Sequence, residues 1–324
     1  MGYQYTSSDE LFTINMSTSS LSFTDVFIKA LTFDYTPPIY YLCAHISILL
    51  FGATTTAIRY PSAIFGIILI PVIYLIGKEY KDELLGLIMS GFATVYYNGV
   101  YYAKYGRSYS MAIVFCSMAF YFFMRLIRGD RSAWLGFAAF SILSMWTHIY
   151  TSIPIGLMVL ILLLNNRIHI KTIGVITIGC LPLLNYIQLI INTRLVTATG
   201  TNTFTATPLE IFFGTPLDIF TYSCVLILPI IIYGLWKYRN DIIIRYISII
   251  TISVWVSMFI ISYITPVVLH YAIFCVPMLM IPLCLPIYNA IETKQSWYSW
   301  FLVCLVIIVL EVVQVVALNT LQRV

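Results

Sequence analysis

Long apolar runs separated by short polar breaks set the pattern of this chain. Beyond a polar and aromatic opening, residues 1–37, they predict helices at Pro38–Phe51, Ile58–Ile76, Leu84–Tyr102, Tyr109–Leu126, Trp134–Thr147 and Ile153–Leu164. Further runs follow at Ile173–Ile191, Ile219–Trp236, Ile242–Ile261, Tyr271–Ile287 and Trp300–Leu318. Most approach the roughly twenty residues that cross a bilayer. Pro38–Phe51 is too short to span comfortably and reads as a juxtamembrane helix closed at Gly52. The two runs either side of Thr147–Pro154 are also short and are expected to extend into the turn between them. The fold class is therefore all-α, a polytopic transmembrane helix bundle forming one membrane domain over residues 1–324. Within it lie an external first loop and juxtamembrane helix (1–54), a helical core (55–190), an external loop (191–218) and C-terminal transmembrane helices (219–324).

Composition supports lipid as the solvent. Charged residues make up 9% and hydrophobic ones 60%, whereas a soluble domain carries about a quarter charged residues. The net charge of +4 is spread over short clusters without a basic stripe, which excludes a nucleic-acid partner and argues orientation instead. All seven cysteines lie in apolar runs without CxxC spacing and read as small buried hydrophobes. The opening has neither a basic n-region nor an apolar core, so it is not a signal peptide. A transmembrane helix ahead of Met1 is expected to carry it across.

Basic residues orient the stack. Lys78, Lys81, Arg125, Arg128, Arg131, Arg167, Lys171, Lys237, Arg239, Arg245 and Lys294 fall on one side, most of the 17 in the chain, and the positive-inside rule makes that side cytoplasmic. The outer side then holds residues 1–37, the turns Ala103–Ser108 and Thr147–Ser152, the loop Asn192–Asp218, and Ser262–Tyr271. The candidate chemistry sits there. Asp9-Glu10 in SSDELFTI reads either as the acidic first turn of a helix capped by Ser7 or Ser8, or as a carboxylate base; alone, the pair favours the cap. Lys104 and Arg107 read either as phosphate-gripping cations or as snorkelling side chains in an aromatic belt of Tyr101, Tyr102, Tyr105 and Tyr109. Arg59 has Asp9, Glu10 and Asp34 as potential partners, and His148 is a polar residue in an apolar turn. Glu311, one turn before Gln314, costs roughly 2.5–3.5 kcal/mol mid-span, so it should face the bundle and have a partner. The Asn192–Asp218 loop suits an acceptor-side lid.

In order along the chain stand the acidic pair, Thr36-Pro37-Pro38, FGATTTAIRYPSAIFG (51–66), AKYGRSYS (103–110), WTHIY (146–150) and VLHYAIFCVP (268–277). Together they resemble the lipid-phosphate-sugar-dependent glycosyltransferases of the GT-C superfamily. The likeness is to the dolichyl-phosphate-mannose protein mannosyltransferase-like group, which includes the bacterial lipid A aminoarabinose and rhizobial lipopolysaccharide sugar transferases. It covers residues 8–150 well and continues more weakly to about 280. The resemblance implies an external acidic loop after a first helix, with Asp9 as general base and Glu10 beside it in the catalytic pair. It implies Lys104, Arg107, Tyr109, His270 and Tyr271 at the lipid phosphate or donor, supported by Arg59 and His148. His270-Tyr271 departs from the group's Arg-Tyr, and a largely neutral imidazole puts phosphate binding there in question. Some members bind a divalent ion near the acidic loop. Asp9, Glu10, His148 and His270 are the residues that would hold one, but no ligand spacing points to a metal site and no cofactor is assigned.

The implied function is inverting transfer of mannose, or another hexose or pentose, from a polyprenyl (dolichyl) phosphate donor. The acceptor is a protein, lipid or glycan, at an active site facing outside a multi-pass plasma-membrane protein; membrane lipids are the remaining partners. The alternatives are a transporter or flippase of lipid-linked glycans and an inactive, truncated paralogue. Transport predicts internal repeats with matching broken helices, and the sequence shows no convincing repeat.

Overall fold

A computed structural model describes residues 6–34, 36–186, 207–263 and 267–293, with individual residues between 298 and 316. No strand occurs among the described residues. The opening folds into α1 (Ser8–Met16) and α2 (Phe23–Phe33), then α3 (Pro38–Phe51), α4 (Thr55–Tyr80) and α5 (Glu83–Val95). Next come α6 (Tyr97–Ala103), α7 (Tyr109–Ile127), α8 (Trp134–Thr147), α9 (Ser152–Leu164) and α10 (Ile170–Cys180). α11 (Pro208–Phe220), α12 (Cys224–Lys237), α13 (Ile242–Ser262) and α14 (Val276–Thr293) follow, with a 3-10 stretch Leu269–Cys275 ahead of α14. Among the described residues, four segments are long and apolar enough to cross a membrane: α4, α7, α13 and His270–Thr293. A fifth counts if α11 and α12, bent by 99°, form one broken span. This is a multi-pass membrane fold.

The core forms around α7 and α14. In the most apolar window of the His270–Thr293 segment 94% of residues are buried, against 39% in α4 and in α13, so α14 runs through the bundle and the other two face lipid. Small residues permit the closest crossings, as lipid-embedded helices require. A Cβ on Gly77 of α4 would sit 2.7 Å from the Gly86 Cα of α5, and one on Gly234 of α12 would sit 2.0 Å from the Pro282 carbonyl oxygen of α14. α3 buries Tyr40, Tyr41, Ala44 and Ile48 but exposes Leu49, Leu50 and Phe51, a one-sided pattern suited to a helix lying along the membrane surface. Gly52 ends it at φ 84°, where a side chain is disfavoured.

Pro38–Phe51 and Trp134–Thr147 fold between the predicted limits. Two predicted spans do not run through. Leu84–Tyr102 breaks at Tyr96, whose ψ of 114° leaves the helical region, and Ile219–Trp236 breaks at Thr221, whose φ is 51°. α11 also reaches back to Pro208, so the end of the segment predicted as an external loop is helical. Residues 192–206 of that loop, Lys294, and much of Ile173–Ile191 and Trp300–Leu318 lie partly or wholly outside the described residues.

Backbone groups exposed by a break in a lipid-embedded helix must find partners inside the protein. At the first break the Tyr97 N–H donates to Glu311 Oε2 at 2.6 Å. At the end of α11, Asn98 Nδ2 donates to the carbonyls of Asp218 and Ile219, each at 2.7 Å, and Tyr96 Oη donates to the Ile219 carbonyl at 2.7 Å. Gln314 Nε2 reaches Ser223 Oγ at 3.0 Å beyond the second break. The two breaks therefore hold each other, and Glu311 has the partner its position demanded.

Candidate active site

Ser7 caps α1. Its Oγ accepts from the Glu10 N–H at 3.2 Å, and Glu10 Oε2 accepts from the Ser7 N–H at 3.2 Å, a reciprocal capping box. Glu10 does more than cap. It is 1% exposed, and Arg59 of α4 grips it with Nε on Oε1 at 2.6 Å and Nη2 on Oε2 at 2.7 Å. The Gly106 N–H adds a bond to Oε1 at 2.9 Å. One carboxylate thus joins α1, α4 and the turn after α6. Of the three acids open to Arg59, Glu10 is the one it pairs with.

Asp9, one position earlier, faces the other way. It is exposed and lines a cavity of about 730 Å³, within the range of small-molecule sites. Tyr105 Oη donates to Asp9 Oδ2 at 3.1 Å and in turn accepts from Ser7 Oγ at 3.2 Å. Burial raises the Tyr105 phenol above its ordinary range, so it stays a proton donor to the carboxylate.

One wall of the cavity is aromatic. Tyr97, Tyr101, Tyr105 and Tyr109 recur every four residues and all line it. Their rings are nearly parallel, with centroids 6.1, 5.8 and 6.5 Å apart and interplanar angles of 18°, 21° and 19°. Asn98, Tyr102 and His270 complete that side, and His270 Nε2 lies 3.0 Å from Tyr109 Oη. Gly214, Leu217 and Asp218 of α11, with Thr221 at the second break, complete the lining.

Of the residues singled out in the sequence, the cavity gathers Asp9, Tyr109 and His270. The others stand behind it. Lys104 caps the C-terminus of α6 and is half-buried. Arg107 is turned inward, donating from Nη1 to Tyr41 Oη at 3.0 Å and from Nη2 to Thr36 Oγ1 at 3.3 Å, while its buried Nε has no hydrogen-bond partner among the described residues. Burial works against that charge, but the Tyr41 phenol and the Asp34 carboxylate outweigh it and raise the guanidinium pKa. Tyr41 itself donates to Asp34. Tyr271 packs at a tilt against Tyr150, with centroids 4.3 Å apart, and meets His148 at 5.0 Å. His148 is buried against Tyr109 and Phe274, its Nδ1 unpartnered among the described residues. Burial first, then the charges of His270 and Arg107, press its pKa down to about 3.

Asp9, Glu10, His148 and His270 do not assemble. Among the described residues no three His, Cys, Asp or Glu side chains could hold a metal ion together. The physical reason is that both Glu10 oxygens are committed to Arg59 and His148 is packed among rings. Sequence reasoning missed Asp218 and Asn98. The four-residue tyrosine spacing is readable in the sequence, but there it reads as an interfacial belt.

Residues 35–190 match the family described as dolichyl-phosphate-mannose-protein mannosyltransferase. The structure superposes on ArnT from Cupriavidus metallidurans in the apo state with a TM-score of 0.67 and 13% identity, covering 90% of this chain and 56% of that one. It superposes on the same protein bound to undecaprenyl phosphate at a TM-score of 0.66 and 13% identity, covering 92% and 58%. The fold is GT-C. No curated protein sequence matches the chain. Within the GT-C fold the chain spans little more than half the length of those ArnT chains, and the family match includes the break at Tyr96 but stops before α11.

Proposed function

We propose that this chain is a glycosyltransferase that moves a hexose or pentose from a polyprenyl-phosphate donor to an acceptor hydroxyl, with Asp9 as general base. The observation that carries the reading is Asp9 itself: a carboxylate lining a large, aromatic-walled cavity and oriented by Tyr105, on a fold also seen with undecaprenyl phosphate bound in ArnT. The acceptor oxygen attacks the sugar C1 as its proton passes to Asp9. The C1–O bond to the phosphate breaks, and the polyprenyl phosphate leaves with the electron pair. A single displacement inverts the anomeric centre, with no glycosyl-enzyme intermediate.

Glu10 is a positioning residue in this scheme. It is fully engaged by Arg59 and Gly106, and it sets the α1 register that presents Asp9. Lys104 and Arg107 supply positive charge on the side of the aromatic wall where the phosphate leaves, Arg107 acting from behind Tyr109. His270, hydrogen-bonded to Tyr109, orients that ring toward the donor. Tyr271 and His148 pack behind the pair.

Transfer of labelled sugar from polyprenyl phosphate in membranes carrying the endogenous acceptor tests the assignment. Asp9→Asn should slow transfer by about 10²–10⁴-fold; equal rates for variant and parent would remove Asp9 as the base. The broken helices at Tyr96 and Thr221 are the feature a transporter would use. Movement of the labelled lipid across the bilayer without sugar transfer would favour that reading.

A further inference from the structure

The α11 side of the cavity carries a second carboxylate that the mechanism above does not use. Asp218 lines the cavity, is half-buried, and its carboxylate has no hydrogen-bond partner among the described residues. Its main chain is fixed, because Asn98 Nδ2 holds the Asp218 carbonyl at 2.7 Å and the next carbonyl at 2.7 Å. Asp9 and Asp218 both line this one cavity. The lining contains no Lys or Arg among the described residues, and its basic side chain, His270, is bound to Tyr109. The Arg107 guanidinium lies outside this lining and donates to Tyr41 and Thr36.

A cavity with two acids, a row of phenols and an amide has acceptors for hydroxyl and ammonium hydrogens, and no Lys or Arg in its lining to pair with an anionic sugar substituent. Like charges facing each other in a partly desolvated space repel strongly. Resting on the glycosyl-transfer reading, we infer that Asp218 is a specificity-determining residue that selects a transferred sugar without an acidic group. It accepts a hydrogen bond from a sugar hydroxyl or amine and repels a uronic acid. Asn98 acts through it as a positioning residue.

The test is an isosteric donor series: undecaprenyl phosphate linked to glucose, to glucuronic acid and to 6-amino-6-deoxyglucose. The three differ at one substituent, which is neutral, anionic or cationic. Affinity of the purified full chain in nanodiscs is measured for each, with undecaprenyl phosphate alone as reference. The glucose and amino forms should bind at least about tenfold more tightly than the glucuronic form. Asp218→Asn should close most of that gap while leaving undecaprenyl phosphate affinity unchanged. Asn98→Ala should narrow the gap in the same direction, and Asn98→Gln should restore part of it. Equal binding of the three sugars by the parent, or an unchanged ratio in Asp218→Asn, overturns the selection and leaves the transferase reading intact. If neither the sugars nor undecaprenyl phosphate binds, the lipid-phosphate reading falls and the selection with it.

Discussion

Asp9 and Glu10 are neighbours in sequence, and the roughly 100° between successive helical positions sends them to different surroundings. Glu10 turns into the protein, where Arg59 and the Gly106 N–H take both oxygens; Asp9 turns to the cavity. Their substitutions should therefore separate. Glu10→Ala removes the buried carboxylate that Arg59 and the Gly106 N–H hold and should cost about 3–5 kcal/mol, seen as a lowered Tm in detergent. Asp9→Asn should hold Tm within about 1 kcal/mol, the scale of an acid at a helix N-terminus, while activity falls. If Asp9→Asn unfolds the protein and Glu10→Ala does not, the roles are reversed. His148 gives a pH signature. Its imidazole titrates at about 3 in the folded chain against an ordinary 6.5. Above pH 6.5 both states are neutral. Below it the unfolded chain takes up a proton that the folded chain refuses, so stability falls with pH, by about 2 kcal/mol at pH 5. A pH series of Tm for parent and His148→Gln should show this slope in the parent and its loss in the variant.

At the scale of elements, what was legible followed from local pattern. α3 and α8 were readable because a Pro-initiated apolar run and a Gly stop bound one, and a basic break and a polar turn bound the other. The capping box of α1 was legible in SSDE for the same reason. The breaks at Tyr96 and Thr221 were not, because hydropathy runs continuously through both. What interrupts those helices is non-local: Glu311, Asn98 and Tyr96 offer side-chain bonds to the backbone groups at the breaks. Asp218 reaches the site only through that exchange, so no window of sequence could have shown it facing Asp9. The dependence can be measured. Glu311→Ala removes the acceptor for the Tyr97 N–H in an apolar setting, a loss of about 1–3 kcal/mol. Amide exchange should quicken at Tyr97 and along α6, with little change in α8; uniform protection across α6 would show that the break stands without Glu311.

At the scale of the whole molecule, the bundle has two chemically different ends, and α4 spans the distance between them. Its first turns hold Arg59 against Glu10, beside the cavity. Its last turn holds Glu79 against Arg128 at 3.0 Å, near Lys78–Glu83, while Lys81 reaches Glu292 of α14 at 3.6 Å. The basic loops therefore gather at the end opposite Asp9, as the charge pattern demanded. Exposed ion pairs of this kind add little stability, about 0–1 kcal/mol each, so their segregation is better explained by orientation. Lys and Arg flanking short loops stay on the cytoplasmic side, which predicts a cavity open to the outside. A cysteine at exposed Ser19, in the turn between α1 and α2, should react with an impermeant maleimide in intact cells. One at exposed Arg131, in the turn between α7 and α8, should react only after permeabilisation. The unsubstituted chain sets the baseline, since its seven cysteines lie in apolar stretches. The opposite labelling order would turn the cavity toward the cytoplasm, and the donor and acceptor would then have to be sought on that face.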